Sequence, residues 1–211
     1  MNRKILIFFL LVLLFFSFYN LFAQDIKALF ISAIKKQQSL LPKSFSCNIS
    51  SSVFTDFLSQ LPSDAFSKQS KDILIVLIVD NGKVNINLDG IKSDYVDFAL
   101  SYFNIYTELL SYVFISEEEL NKQFENYTIS QDKNTFILKD NSELTSYNFI
   151  FLNNLISTVI FYQDNSKKME INIQYFAYKN YQLVKTITII NFDERGNKRE
   201  PIVITFSKYK I

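Results

Sequence analysis

The sequence predicts an α+β domain, in which a long curved antiparallel sheet, an open half-barrel, has helices covering its concave apolar face. Three observations carry this. A helical period runs through the first part of the chain after residue 25. Short strands with polar turns follow one another from Asn126 to Tyr209. One face of those strands is apolar and must be covered by something.

The composition narrows the chemistry. The 211 residues include Gly 3, Pro 3, Cys 1 and His 0, against Phe 22 and Tyr 12. Without histidine, neither a Ser-His-Asp nor a Cys-His unit can form and no imidazole is available to a metal. Three glycines, at 82, 90 and 196, cannot build a dinucleotide fingerprint or a phosphate loop. A hydrolase using only Asp and Glu needs two carboxylates facing across a cleft, and no spacing here predicts one. The expectation is a non-enzyme with no cofactor, no metal and no catalytic residue. A net charge of +1 lacks the basic excess that a nucleic-acid partner requires.

Residues 1–23 read as a signal peptide. Arg3 and Lys4 form a positive start, the run from Ile5 to Phe16 is unbroken apolar, and Ala23 offers a small residue for cleavage. The same stretch is long enough to serve as an uncleaved anchor. Either way residues 24–211, a single domain, are expected outside the cytoplasm, in the periplasm or cell envelope. Cys47 is the only cysteine, so no disulfide can form within the chain. Its place in the alternating stretch Phe45-Ser46-Cys47-Asn48-Ile49 suits a small buried side chain; a reactive or intermolecular thiol is the alternative.

The elements follow in order. Ile26, Leu29, Phe30, Ala33, Ile34 and Leu41 recur at helical spacing, with Lys27, Lys35 and Lys36 among them, and Pro42 ends the helix. The period falls to two from Phe45 to Ser51, which predicts a strand. Val53 to Lys71 reads as a short helix plus loop. Ile73 to Val79 is continuous aliphatic and rich in β-branched residues, which predicts a strand covered on both faces. Asn81-Gly82 then supplies a type I′ turn, and Val84, Ile86 and Leu88 alternate on the return strand.

Residues 94 to 114 form an unusual helix. Asp97, Ser101, Asn104, Glu108 and Ser111 make one polar stripe, while Tyr95, Phe98, Tyr102, Phe103, Tyr106, Leu109, Leu110, Val113 and Phe114 occupy the remainder. So wide an apolar surface needs cover on two sides. Burial between sheet and first helix, a movable lid over an apolar cavity, and a membrane-facing surface all satisfy it. The candidate cavity or lid residues are Phe98, Tyr102, Phe103, Tyr106 and Leu110. Ser116-Glu117-Glu118-Glu119 is a capping box opening a further short helix, which gives its acids a structural role.

After Asn126 the hairpins are Tyr127 to Ser130 with Thr135 to Lys139, Leu155 to Tyr162 with Lys168 to Tyr178, and Leu183 to Phe192 with Ile202 to Tyr209. In the second, Met169, Ile171, Ile173, Tyr175 and Ala177 share one face.

This order of export signal, amphipathic helix, strand, Asn-Gly hairpin, helical middle and C-terminal meander resembles the periplasmic outer-membrane lipoprotein-sorting proteins, the LolA-like and LolB-like carriers. The nearest local likeness is Tyr181 to Lys198 followed by Ile202 to Tyr209, which looks like that family's last hairpin. The resemblance implies an unclosed β-barrel, a helical lid and a cavity sheltering lipid or lipoprotein acyl chains. It implies contact with membrane-associated partners as well. Both arginines of the domain, Arg195 and Arg199, lie at the last turn, so no individual functional residue is carried over. The expected function is a non-enzymatic lipid or lipoprotein carrier or chaperone; the alternative is an envelope interaction or structural protein that uses the same fold as a docking surface.

Overall fold

The computed structural model describes residues 26–69, 72–81, 83–114, 118–119, 122, 124–140 and 144–211, and within 93–114 the side chains of 104–113 are not described. The proposed signal peptide, Gly82 and the first two residues of the capping box, Ser116 and Glu117, lie outside the described residues.

Helix α1, residues 26–40, opens the described chain and stops where Pro42 forbids continuation. It is followed by β1 (Ser44–Ser50), α2 (Ser52–Ser59), a 3-10 turn at Ser63–Ala65, β2 (Leu74–Asp80), β3 (Lys83–Asp89) and α3 (Ser93–Phe114). Seven strands complete it: β4 (Tyr127–Asp132), β5 (Thr135–Asp140), β6 (Thr145–Leu152), β7 (Leu155–Gln163), β8 (Ser166–Tyr178), β9 (Tyr181–Asn191) and β10 (Ile202–Lys210).

All ten strands belong to one antiparallel sheet of order β3-β2-β1-β10-β9-β8-β7-β6-β5-β4. It is an open sheet with β3 and β4 at its edges. The amino-terminal hairpin and the carboxy-terminal meander meet where β1 pairs with β10, Asn48 opposite Ser207 and Ile49 opposite Phe206. The expected half-barrel, one sheet holding both the Asn81 hairpin and the meander, is therefore what the chain forms.

Turn chemistry explains how so few glycines suffice. Asn153-Asn154 and Asp164-Asn165 all have φ between 51° and 65°, the left-handed pair that a two-residue hairpin turn demands, and Asn81 has φ 48°. Asparagine and aspartate tolerate that region because their short polar side chains bond the local backbone. Among the described glycines, Gly90 is the one where both conformation and space oppose a side chain: its φ is +102°, and a Cβ would meet Ile73 Cδ1 at 2.7 Å, so that side chain would have to shift.

The concave face carries the core. Phe45, Cys47 and Ile49 of β1, Ile75, Leu77 and Val79 of β2, Ile171 and Ile173 of β8, Ile187 and Ile189 of β9, and Ile204 and Phe206 of β10 are buried together. Helix α1 covers the meander half, its Phe30 ring 5.2 Å from Phe136 and 5.5 Å from Phe149. One buried polar side chain fastens it there. Gln37 is 1% exposed, and its Oε1 accepts from the Ile156 amide at 2.6 Å, beside the register shift between Ile150 and Phe151 that disturbs the β6–β7 ladder. Helices α2 and α3 cover the other half.

Two expectations are corrected. The aliphatic run at 73–79 is buried on one face only: Ile75, Leu77 and Val79 point inward, whereas Leu74 and Ile78 are each 37% exposed. The outward row is flanked by Ser46 and Asn48 on β1 and by Asn85, Asn87 and Asp89 on β3, and no layer of the fold lies over so polar a surround. The meander also contains a strand absent from the expected hairpins, β6, whose Tyr147, Phe149 and Phe151 alternate like their neighbours.

Candidate functional site

The candidate site is the mouth at which four element ends meet. Helix α1 finishes there, β1 starts, β2 finishes, and α3 delivers its last residue. Gln38, Ser39, Leu41, Pro42, Lys43, Val79, Asn81 and Phe114 line a pocket of about 300 Å³. An adjoining recess of about 450 Å³ shares Gln38 through Lys43 and adds Ser44, Tyr181 and Ile211. Local chemistry places the parts. Pro42 breaks α1 and turns the chain into β1, so Leu41 and Phe45 fall on the inner side while Lys43 is left at the rim. Leu41, Val79 and Phe114 are buried and give the pocket an apolar floor. Lys43 is the only charged side chain among the described residues lining either space.

Helix α3 connects this mouth to the opposite end of the fold. At about 1.5 Å per residue its 22 residues span about 33 Å. It packs on the edge strand β3, and its Phe114 ring stands edge-on to Phe45 of β1 at 5.4 Å. Toward its beginning it packs on α2 through rings. Tyr102 stacks on Phe57 at 4.0 Å with an interplanar angle of 5°, and Phe103 meets Phe54 at 5.0 Å and Phe57 at 5.7 Å in edge geometry.

The five cavity or lid candidates on α3 therefore differ in position. Phe103 is wholly buried. Tyr102 is half-buried, its hydroxyl 3.4 Å from the Val53 carbonyl oxygen to which it donates. Phe98 is 60% exposed, with the Phe57 ring 6.1 Å away. Tyr106 and Leu110 lie on the described backbone of α3, and their side chains are outside the described residues. Of the polar stripe, Asp97 and Ser101 are exposed. The residues that the sequence did not single out are Leu41, Lys43 and Val79. The signal available was Pro42, a helix stop directly followed by a strand, which puts a helix end and a strand end in one place.

Behind the mouth lies a small polar cluster within the apolar face. Burial pushes the Cys47 thiol up to about 12, against a smaller opposing pull from its hydrogen bond with Tyr209. The Tyr209 hydroxyl donates to the Val184 carbonyl at 2.6 Å and that of Tyr175 to the Ile156 carbonyl at 3.0 Å. Both phenols are raised from their ordinary value, chiefly by burial. A thiol so protonated is a poor nucleophile, and the cluster acts to satisfy backbone carbonyls inside the sheet. Among the described residues no group of three or more Cys, Asp or Glu side chains could hold a metal ion, and no helix is long and apolar enough to cross a membrane.

Compared with family models, curated proteins and solved structures, the chain matches none.

Proposed function

We propose that this chain is a non-enzymatic carrier or chaperone of the periplasm that shelters the acyl chains of a lipid or lipoprotein, as its layout resemblance to the lipoprotein-sorting proteins implies. One observation carries the reading: an open sheet has its concave apolar face covered by a long helix whose last ring, Phe114, forms a wall of an apolar-floored pocket at the mouth. Apolar ligands are held by large apolar area and few directional groups, and this mouth has that character. Helix α3 rests on the edge strand β3 and reaches β1 through the contact of Phe114 with Phe45, so the wall of the mouth is held by a single ring at the helix end. Residues 1–23 supply the export signal in this reading, or an anchor that leaves the domain on the same side of the membrane.

The test is direct. The protein is expressed with its full chain in a Gram-negative host, purified from the envelope fraction, extracted with solvent and analysed by lipid mass spectrometry. Intact mass reports whether residues 1–23 are removed. Co-purified acyl lipid, and saturable binding of a hydrophobic fluorophore that shifts the amide resonances of 38–43 and 79, is the expected result. Absence of both overturns the carrier reading.

A second reading, an envelope docking protein, is favoured by the outward row of Leu74 and Ile78. Replacing both with lysine would abolish partner capture and leave fluorophore binding unchanged if docking is the function.

A further inference from the structure

The mouth has a rim as well as a floor, and four stretches of chain build it: 36–46, which closes α1 and opens β1; 78–85 around the β2–β3 turn; 176–183 around the β8–β9 turn; and 206–211 at the end of β10. Strand pairing places them side by side. Ser44 lies opposite Asp80 and Ser46 opposite Lys210, the Asn81 amide donates to the Lys43 carbonyl at 2.9 Å, and Lys43, Ser44, Tyr181 and Ile211 line one recess. The four stretches carry Lys36, Lys43, Lys83, Lys179, Lys208 and Lys210, all exposed, and a single acid, Asp80. The Asp80 carboxylate accepts from Ser44 Oγ at 2.6 Å and from Asn81 Nδ2 at 3.0 Å. None of the six ammonium groups is in an ion pair among the described residues. Glu118 and Glu119, which follow α3, are outside these stretches.

The far end of the sheet is different, because its cations sit among acids. Lys68 bonds both carboxylate oxygens of Asp89 at 2.8 Å, Lys167 bonds Glu170, and Arg195, Lys198 and Arg199 share a loop with Asp193 and Glu194. Interspersed signs are the ordinary state of a solvated surface, whereas an arc of one sign makes a field that favours an anionic partner. Two exposed rings stand within the arc. Phe176 is 37% and Tyr178 44% exposed at the end of β8, and Lys179 Nζ lies over the Tyr178 ring, 5.3 Å from its centroid.

Lysines beside exposed rings suit the headgroup layer of a bilayer, where the ammonium meets lipid phosphate while the apolar stem and the ring sit just below it. The arc contains no arginine, whose planar fork is the better match for nucleic-acid phosphates and base edges. We propose that this lysine arc seats the mouth of the protein on the surface of an anionic phospholipid bilayer. The contact goes beyond the carrier reading, because it needs only the charge and rings of the rim, whatever the pocket holds.

The chain has no tryptophan, so Tyr178→Trp provides a single reporter inside the arc. The protein, expressed with its full chain and purified from the envelope fraction, is mixed with vesicles of phosphatidylcholine alone or of equal parts phosphatidylcholine and phosphatidylglycerol. Arg3 and Lys4, where residues 1–23 are retained, are common to every variant. The expected result is a blue-shifted tryptophan, quenched by brominated lipid, on the anionic vesicles only, with release at high salt. Replacing Lys179, Lys208 and Lys210 together with glutamine should weaken this contact about a hundredfold, at about fivefold per lysine, and leave fluorophore binding unchanged. Lys168→Gln, Lys198→Gln and Arg199→Gln, the same loss of charge at the far end, should leave the contact intact.

Equal quenching on neutral vesicles, a tryptophan that stays in water on vesicles that carry the protein, or equal losses in the two triple variants would each overturn the proposal. Tighter binding of single-stranded DNA than of anionic vesicles would overturn it in favour of a nucleic-acid partner. Loss of fluorophore binding and co-purified lipid with the vesicle contact intact would overturn the carrier reading alone.

Discussion

Gln37 and Cys47 show how single side chains shape this interior, one by supplying a bond and the other by withholding a charge. Gln37 reaches from α1 to the Ile156 amide, in a ladder that the register shift has already disturbed. Gln37→Ala would leave that amide buried and unpaired, and the expected cost is about 1–3 kcal/mol, measured by urea denaturation. Helical periodicity alone could not find this residue, because a glutamine on the apolar face reads as a flaw until the strand amide opposite is known. Cys47 was legible, since alternation with Phe45 and Ile49 places it inside. Its ordinary value is 9.0 and its folded value about 12, so the unfolded chain loses the thiol proton first as pH rises. The folded state then binds more protons between about pH 9 and 12, and stability must fall across that window. The raised Tyr175 and Tyr209 hydroxyls push the same way. Expected outcomes are a midpoint that declines above pH 9 and a thiol inert to maleimide at pH 7.5 in the native protein, but reactive in urea.

Among the elements, the hairpins were legible because period-two alternation and a pair of left-handed turn residues are both local signals. Strand β6 has the same alternation, followed by Asn153-Asn154 rather than a glycine turn, and scarcity of glycine hid it. Coverage of β2 was hidden for a different reason. A β-branched run reports that a strand is apolar, whereas the polar residues beside it on β1 and β3 decide whether the outer face is covered. Helix α3 is the intermediate case. Its excess of aromatics signals contact on more than one side, but not which ring does what: Phe103 is enclosed by Phe54, Phe57 and Tyr102, while Phe98 is largely exposed. The two should respond differently to truncation. Phe103→Ala is expected to cost about 3–5 kcal/mol, as the loss of a packed core ring does, and Phe98→Ala about 0.5 kcal/mol or less. Urea midpoints of the pair give the comparison. Comparable losses at both positions would mean that the exposed ring is held by something other than Phe57.

For the whole molecule, the decisive feature is that strands far apart in sequence meet in the middle of the sheet. β1 and β10 are neighbours although most of the chain runs between them, and their junction is the sole lateral link joining β3-β2-β1 to the β9-to-β4 meander. Ile204 and Phe206 face inward at that junction, next to Ile49 on one side and Ile187 and Ile189 on the other. Without β10 the sheet would become two pieces, each with a new unpaired edge, and the helices that cover the concave face would bridge a gap. Folding should be slow for the same reason, since closing so long a loop costs chain entropy before the contacts of the junction repay it. Deleting residues 202–211 is therefore expected to abolish cooperative thermal unfolding, although it removes no helix and, of the meander's hairpins, only the last, β9–β10. The control is Ile204→Val, which preserves the strand and trims one methylene from a buried position for about 0.5–1.5 kcal/mol. Differential scanning calorimetry of the two variants separates the outcomes. A truncated chain that still melted in one sharp transition would show that the meander and its covering helix α1 form a stable unit by themselves, and that the junction is a convenience of packing rather than the condition for the fold.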